Sequence, residues 1–270
     1  MNLLSCFKKM KKKEINLLSP KEIKENLAFF ESGYSRDAGR HPLERYASFD
    51  YCSNYFQGFK DKKELAQKDN IQNSCLHLGF YLASWGMYRG STFLLQKSVK
   101  IFEPLIKYIA SDECDVWGID VDEYTDENIN KLITCGERIV EELKIREKQK
   151  NTDTLVTKIM LGVFGNVPAF DSYFRSGSKL GTFNKFSLEE ISSFYGKHSK
   201  TISDKATKIK TFEYHSGKAS NRSYTKAKII DMIFFIEGYK NVKKSEPKFI
   251  SKTNIQSSKI DIFKKSQSKV

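Results

Sequence analysis

The chain is predicted to be all-α, a single multi-helix globular domain with basic termini, and three observations predict it. Apolar residues recur at three- and four-residue spacing over several windows, helix-start signals precede many of them, and no run of period-two alternation or tight hairpin turn lies between them. The 270 residues are 39% hydrophobic and 13% aromatic, enough material for a sizeable core.

Taken in order, Ser19-Pro20-Lys21-Glu22 combines an N-cap serine, proline at the first helical position and a glutamate three residues on, a capping box that opens a helix through Phe30. A charged, Gly-containing loop, 32–43, follows. The segment 45–59 is aromatic at Tyr46, Phe49, Tyr51, Tyr55, Phe56 and Phe59 and reads as a core helix with two apolar sides. Next comes LGFYLASWGMYRGSTFLLQ, 78–96, where Cys75, Gly79, Ala83, Gly86 and Gly90 form a stripe of small residues at helical spacing while Tyr81, Trp85, Tyr88 and Arg89 project from other faces. This helix is predicted to end near Gly90-Ser91. Another is predicted from Thr92 to Ala110, with Leu94, Leu95, Val99, Phe102, Leu105, Ile106 and Ile109 inward.

An acidic insert, 111–126, separates these from the most regular amphipathic pattern, Asn128 to Arg146. Thr154 to Val163 reads as helix, and Ser187-Leu188-Glu189-Glu190 as a second capping box. Tyr224 to Ile236 reads as a strongly apolar last helix closed by Gly238. The domain is expected over 18–240, between a basic arm, 1–17, and a Lys/Ser-rich tail, 241–270. A split into two helical lobes within 111–126 is the alternative.

The 46 Lys and Arg against 33 Asp and Glu give a formal charge of +13, which favours a polyanionic partner such as DNA. Much of the excess lies in the ends: Lys8 to Lys13 holds five lysines, and a solubilising surface explains it equally well. The middle stays basic towards its second half, which keeps the nucleic-acid reading open. The cysteines, Cys6, Cys52, Cys75, Cys114 and Cys135, are odd in number and without paired spacing, so a reducing cytoplasm is expected. No signal peptide or spanning segment is read, so no membrane association is expected. His41, His77, His198 and His215 are isolated, and neither metal-ligand spacing nor a phosphate-cradling or serine-hydrolase motif is present; no metal and no cofactor is expected.

One stretch carries candidate chemistry. In TLVTKIMLGVFGNVPAFD, 154–171, a helix bearing Lys158 runs into a Gly-Asn turn and an extended Val-Pro, and Asp171 then stands at an N-cap position. The plain reading is that Asp171 caps a helix, Lys158 is solvated, and the aromatics of 78–96 are core.

The same stretch resembles the helix-hairpin-helix DNA glycosylase superfamily, in which a Val-Pro-x-x-Asp-like motif carries the catalytic aspartate. The matching residues are Val167, Pro168 and Asp171, the acid standing one position later than in that motif. LASWGMYRGS and NVPAFDSYF also resemble segments of a bacterial protein family without an assigned activity. The glycosylase resemblance covers about twenty residues. It lacks the family's Leu-x-Gly-Val-Gly hairpin, for which Gly162-Val163-Phe164-Gly165 lies too close to Asp171, and the four-cysteine cluster of some members.

The resemblance implies a DNA N-glycosylase excising a damaged or modified base, with anti-phage defence as a setting. Asp171 would stabilise an oxocarbenium-like transition state, and Lys158 would contact phosphate or act as an amine nucleophile. Tyr81, Trp85 and Tyr88 would stack on the extruded base, and Arg89, Ser91 and Gln96 would supply edge or phosphate contacts, with Asn166 and Tyr173 completing the substrate-binding set. The alternative function is a non-catalytic helical module that binds nucleic acid or protein.

Overall fold

The computed structural model describes residues 14–32, 40–90, 92–145 and 152–245. Most of the basic arm, most of the Lys/Ser-rich tail, and Ser91 lie outside the described residues. The prediction of a mostly α-helical protein holds: the described helices are α1 (Pro20–Ser32), α2 (Ala47–Gly58), α3 (Ile71–Ser84), α4 (Glu103–Ile109), α5 (Asp126–Glu142), α6 (Thr152–Val163), α7 (Ser172–Ser178), α8 (Lys185–Lys208) and α9 (Lys226–Ser245). No described helix is long and apolar enough to cross a membrane.

The Ser19 box forms as read. The Ser19 hydroxyl accepts the Glu22 N–H, and the Glu22 carboxylate accepts the Ser19 N–H at 2.8 Å. Helix α1 then buries Ile23, Leu27 and Phe30 against α9, and Asn26 donates across to the Ile233 carbonyl and the Glu237 carboxylate. Ile15 and Leu18, ahead of this helix, are also buried. The amphipathic α5 starts from Thr125, which caps the Asn128 N–H, and turns Ile129, Leu132, Cys135 and Ile139 inward. Helix α6 is buried from Thr154 to Val163, all round its circumference, and forms the centre of the domain.

Five local expectations change. The helix expected to run to Gly90-Ser91 stops at Ser84, and the chain turns at Gly86 (φ +76°) and Gly90 (φ +59°), left-handed values that glycine adopts without penalty. The small-residue stripe is therefore interrupted; in it, Gly79 is a close-packing site, facing Val99 and Phe102. The helix expected from Thr92 to Ala110 is two short 3-10 turns followed by α4, with Pro104 in its first turn. Helix α8 begins at Lys185 with Asn184 capping the Ser187 N–H, so Ser187 lies inside the helix rather than at its cap. Gly238 does not close α9, which runs on to Ser245; it lies mid-helix where the Tyr173 backbone comes in.

The fifth change is a small antiparallel hairpin, β1 (Lys210–Phe212) and β2 (Ala219–Ser223). It is short and its residues are mostly polar, so no alternation marks it. It is held from α2 instead: Asp50 accepts the Phe212 N–H at 2.9 Å and Asn54 donates to the Phe212 carbonyl at 2.8 Å. The acidic insert is likewise put to use. Val116, Val121 and Tyr124 are buried, and Asp120 accepts the Lys226 and Ala227 N–H groups, capping α9.

Candidate functional site

Helix α6 ends at Val163, and residues 164–170 connect it to α7 as a wholly buried loop. A buried loop must satisfy its backbone polar groups, and side chains from several elements do so. Thr157 accepts the Phe170 N–H and Thr154 donates to the Phe170 carbonyl, both at 2.8 Å. Thr225 donates to the Gly165 carbonyl and Tyr124 to the Asn166 carbonyl, both at 2.6 Å. Asp231, from α9, accepts the Ala169 N–H at 3.0 Å. The loop is thereby fixed, and with it the residue that follows.

That residue is Asp171, the N-cap of α7, whose Oδ1 accepts the N–H groups of Tyr173 and Phe174 at 3.0 Å each. Its other oxygen lies 3.9 Å from Lys158 Nζ. The reading of Asp171 as a cap is correct, and the structure brings it together with Lys158. The solvated reading of Lys158 is corrected: the residue is 5% exposed. Its ammonium donates to the Trp85 carbonyl at 2.8 Å and approaches the Trp85 ring at 5.8 Å.

Burial governs the electrostatics of the pair. It pushes the Lys158 amine below the ordinary lysine value, offset by Asp171 and Asp231 and reinforced by Arg89 and Arg45. It pushes the Asp171 carboxyl above the ordinary carboxylate value, opposed by Lys158 and the helix N–H groups and aided by Asp231. Both groups move toward their uncharged forms. Arg45 and Arg89 are exposed, and their guanidinium charges act on a desolvated amine.

A second buried pair adjoins the first. Lys228 and Asp231, 1% and 2% exposed, meet at 2.8 Å on one face of α9. The Lys228 ammonium sits 4.5 Å from the Trp85 ring and 4.6 Å from that of Phe49. Trp85 thus has a cation near its ring from each pair, and its Nε1 donates to Ser48 at 3.2 Å. Beyond it, Arg40 lies between the rings of Phe212 and Tyr224 at 4.7 and 4.8 Å and pairs with Asp50, which also accepts the Tyr224 hydroxyl at 2.6 Å.

The other candidates divide. Trp85 and Arg89 adjoin the pair, whereas Tyr81 is fully buried, its ring against Gly162, Phe49 and Trp85, and its hydroxyl has no hydrogen-bond partner. Tyr81 is a core residue in this conformation, as the plain reading had it. Tyr88 is half-buried with an enclosed, unpartnered hydroxyl. Gln96 lies exposed at the end of a 3-10 turn. Asn166 is buried and donates to the Val116 carbonyl. The Tyr173 ring packs on Phe235 and Tyr239 of α9.

Lys228 and Asp231 escaped the sequence reading. Their signal was present: two charges at i and i+3 inside the apolar run AKIIDMIFFI, where charges persist when paired. Compared with known proteins, the chain matches no family model, no curated protein and no solved structure.

Proposed function

We propose that the chain is a DNA N-glycosylase in which Lys158 and Asp171 act on the sugar of a damaged or modified nucleotide, in defence against phage DNA carrying such bases. One observation supports it most: a desolvated amine, held toward its neutral form, stands 3.9 Å from a carboxylate fixed at a helix N-cap. A neutral amine is a nucleophile, and a carboxylate beside it stabilises positive charge developing at C1′.

In this mechanism the Lys158 nitrogen bonds to C1′ as the bond to the base breaks. The base leaves with that electron pair and takes up the proton the amine gives up. Opening of the sugar ring then moves a second proton from nitrogen to the ring oxygen and leaves an imine between Lys158 and C1′. Arg45 and Arg89 hold the flanking phosphates at the mouth of the site. The pair lies under Trp85, so substrate approach requires the 85–90 turn to move; its glycines at 86 and 90 are the residues that allow a backbone change.

Purified protein incubated with duplexes carrying normal, damaged, hydroxymethylated or glucosylated bases is expected to release one class of base, and to be trapped on DNA by borohydride through Lys158. Asp171→Asn removes release, and Lys158→Met removes trapping. Burial of the pair favours the second reading, a non-catalytic binding module whose buried charges hold the fold. Salt-sensitive DNA binding with neither release nor trapping across that panel selects it.

A further inference from the structure

The residue that reaches the loop from the far side of the site is Asp231. Its Oδ1 accepts the Ala169 N–H at 3.0 Å, two residues before Asp171, and its Oδ2 accepts Lys228 Nζ at 2.8 Å. In the described hydrogen bonds that fix the 164–170 loop backbone from other elements, the remaining side chains are neutral: the hydroxyls of Thr154, Thr157, Thr225 and Tyr124 and the Gln57 amide, which donates to the Phe164 carbonyl. Asp231 alone among them brings a charge. The helices involved are also locked together, because a Cβ at Gly177 of α7 would strike the Phe234 carbonyl of α9, and one at Gly238 of α9 would strike the Tyr173 carbonyl of α7.

We infer that Asp231, with Lys228 as its counter-ion, is a positioning residue that holds the Ala169 peptide and thereby sets how Asp171 faces Lys158. The inference rests on the reading of Lys158 and Asp171 as the reacting pair. The charged groups acting on Lys158 are Asp171, Asp231, Arg45 and Arg89; those acting on Asp171 are Lys158 and Asp231. Lys228 faces Asp231 on its own helix and Asp50 from α2. Asp231 is an anion common to both members of the pair, and it favours the protonated form of each.

The test uses the full chain with 13C-labelled lysine and aspartate, following the titrations of Lys158 and Asp171 by NMR. The variant is Lys228→Met with Asp231→Leu, which leaves no unpaired charge in the core and removes the oxygen that accepts the Ala169 N–H. Asp231→Asn alone is the second variant should the double one fail to fold, and Lys228→Arg, which keeps the pair charged, is the control. Lys158 and Asp171 are expected to titrate at lower pH in the double variant than in the wild type, and unchanged in Lys228→Arg. On a DNA that the wild type processes, kcat falls by about tenfold to a hundredfold with KM little changed, the pattern of a misplaced reacting group. Wild-type titrations of both groups in a folded variant lacking the Asp231 charge overturn the inference. A wild type that releases no base defeats the glycosylase reading instead, and the titrations still decide whether Asp231 governs the pair.

Discussion

Two lysine–aspartate pairs, alike in chemistry and burial, stand side by side in this protein and are built differently. Lys228 and Asp231 come from one helix, three residues apart, and meet at 2.8 Å. Lys158 and Asp171 come from a helix and the cap of the next, and stay 3.9 Å apart because the Lys158 ammonium donates to the Trp85 carbonyl while Asp171 accepts from two backbone N–H groups. The first pair neutralises itself. The second is held short of a direct hydrogen bond, with each member tied elsewhere, and this leaves both groups with capacity for a third partner.

The comparison can be broken most directly by removing one charge. Lys228→Met leaves Asp231 buried without its cation and is expected to destabilise the protein by about 3–5 kcal/mol, with most of that recovered when Asp231→Asn is added. Urea unfolding of the single and double variants checks it; a single variant as stable as the wild type would mean that the pair is not closed in solution. Lys158→Met is expected to be milder, within about 2 kcal/mol, because the methionine fills the volume of the stem and Asp171 keeps its cap bonds. Equal losses for the two lysine variants would mean that the two pairs are energetically alike.

Gly238→Ala sharpens the comparison from the packing side. The added methyl meets the Tyr173 backbone, which cannot rotate away, so α7 must shift from α9 at a cost of about 1–3 kcal/mol. Asp171 rides on α7, so the Lys158 titration should move in the same variant even though neither charged residue is altered; a destabilised protein with an unmoved titration would separate the helix contact from the site.

The smallest expected effect is the pH dependence of stability. The Lys158 amine is held below its ordinary 10.5 in the folded state, so the unfolded chain binds more protons between the two values. Wild-type stability therefore rises with pH through that interval relative to Lys158→Met. For Asp171 the folded value lies above the ordinary 3.8, so its contribution falls as pH rises through the acid interval above 3.8. Unfolding midpoints across both intervals measure the two slopes, and a Lys158→Met profile parallel to the wild type contradicts the first.

The features legible in the residues alone were local. The helical windows, the Ser19 capping box, Asp171 as an N-cap and the placing of Lys158 on the preceding helix all depend on residues a few positions apart, where spacing and side-chain reach are enough. The break at Trp85 was less legible, because a glycine in a helical pattern and a glycine in a left-handed turn read alike until φ is known. The rest was set by contacts between residues far apart in the chain. The β-hairpin forms because Asp50 and Asn54 of a distant helix supply bonds that its own short strands do not encode. Asp231 reaches Ala169 across 62 residues of chain, and Lys158 reaches the Trp85 carbonyl across 73. Such contacts exist when α3, α6, α7 and α9 have docked and water has left their interface, and that desolvation is what moves Lys158 and Asp171 toward their uncharged forms.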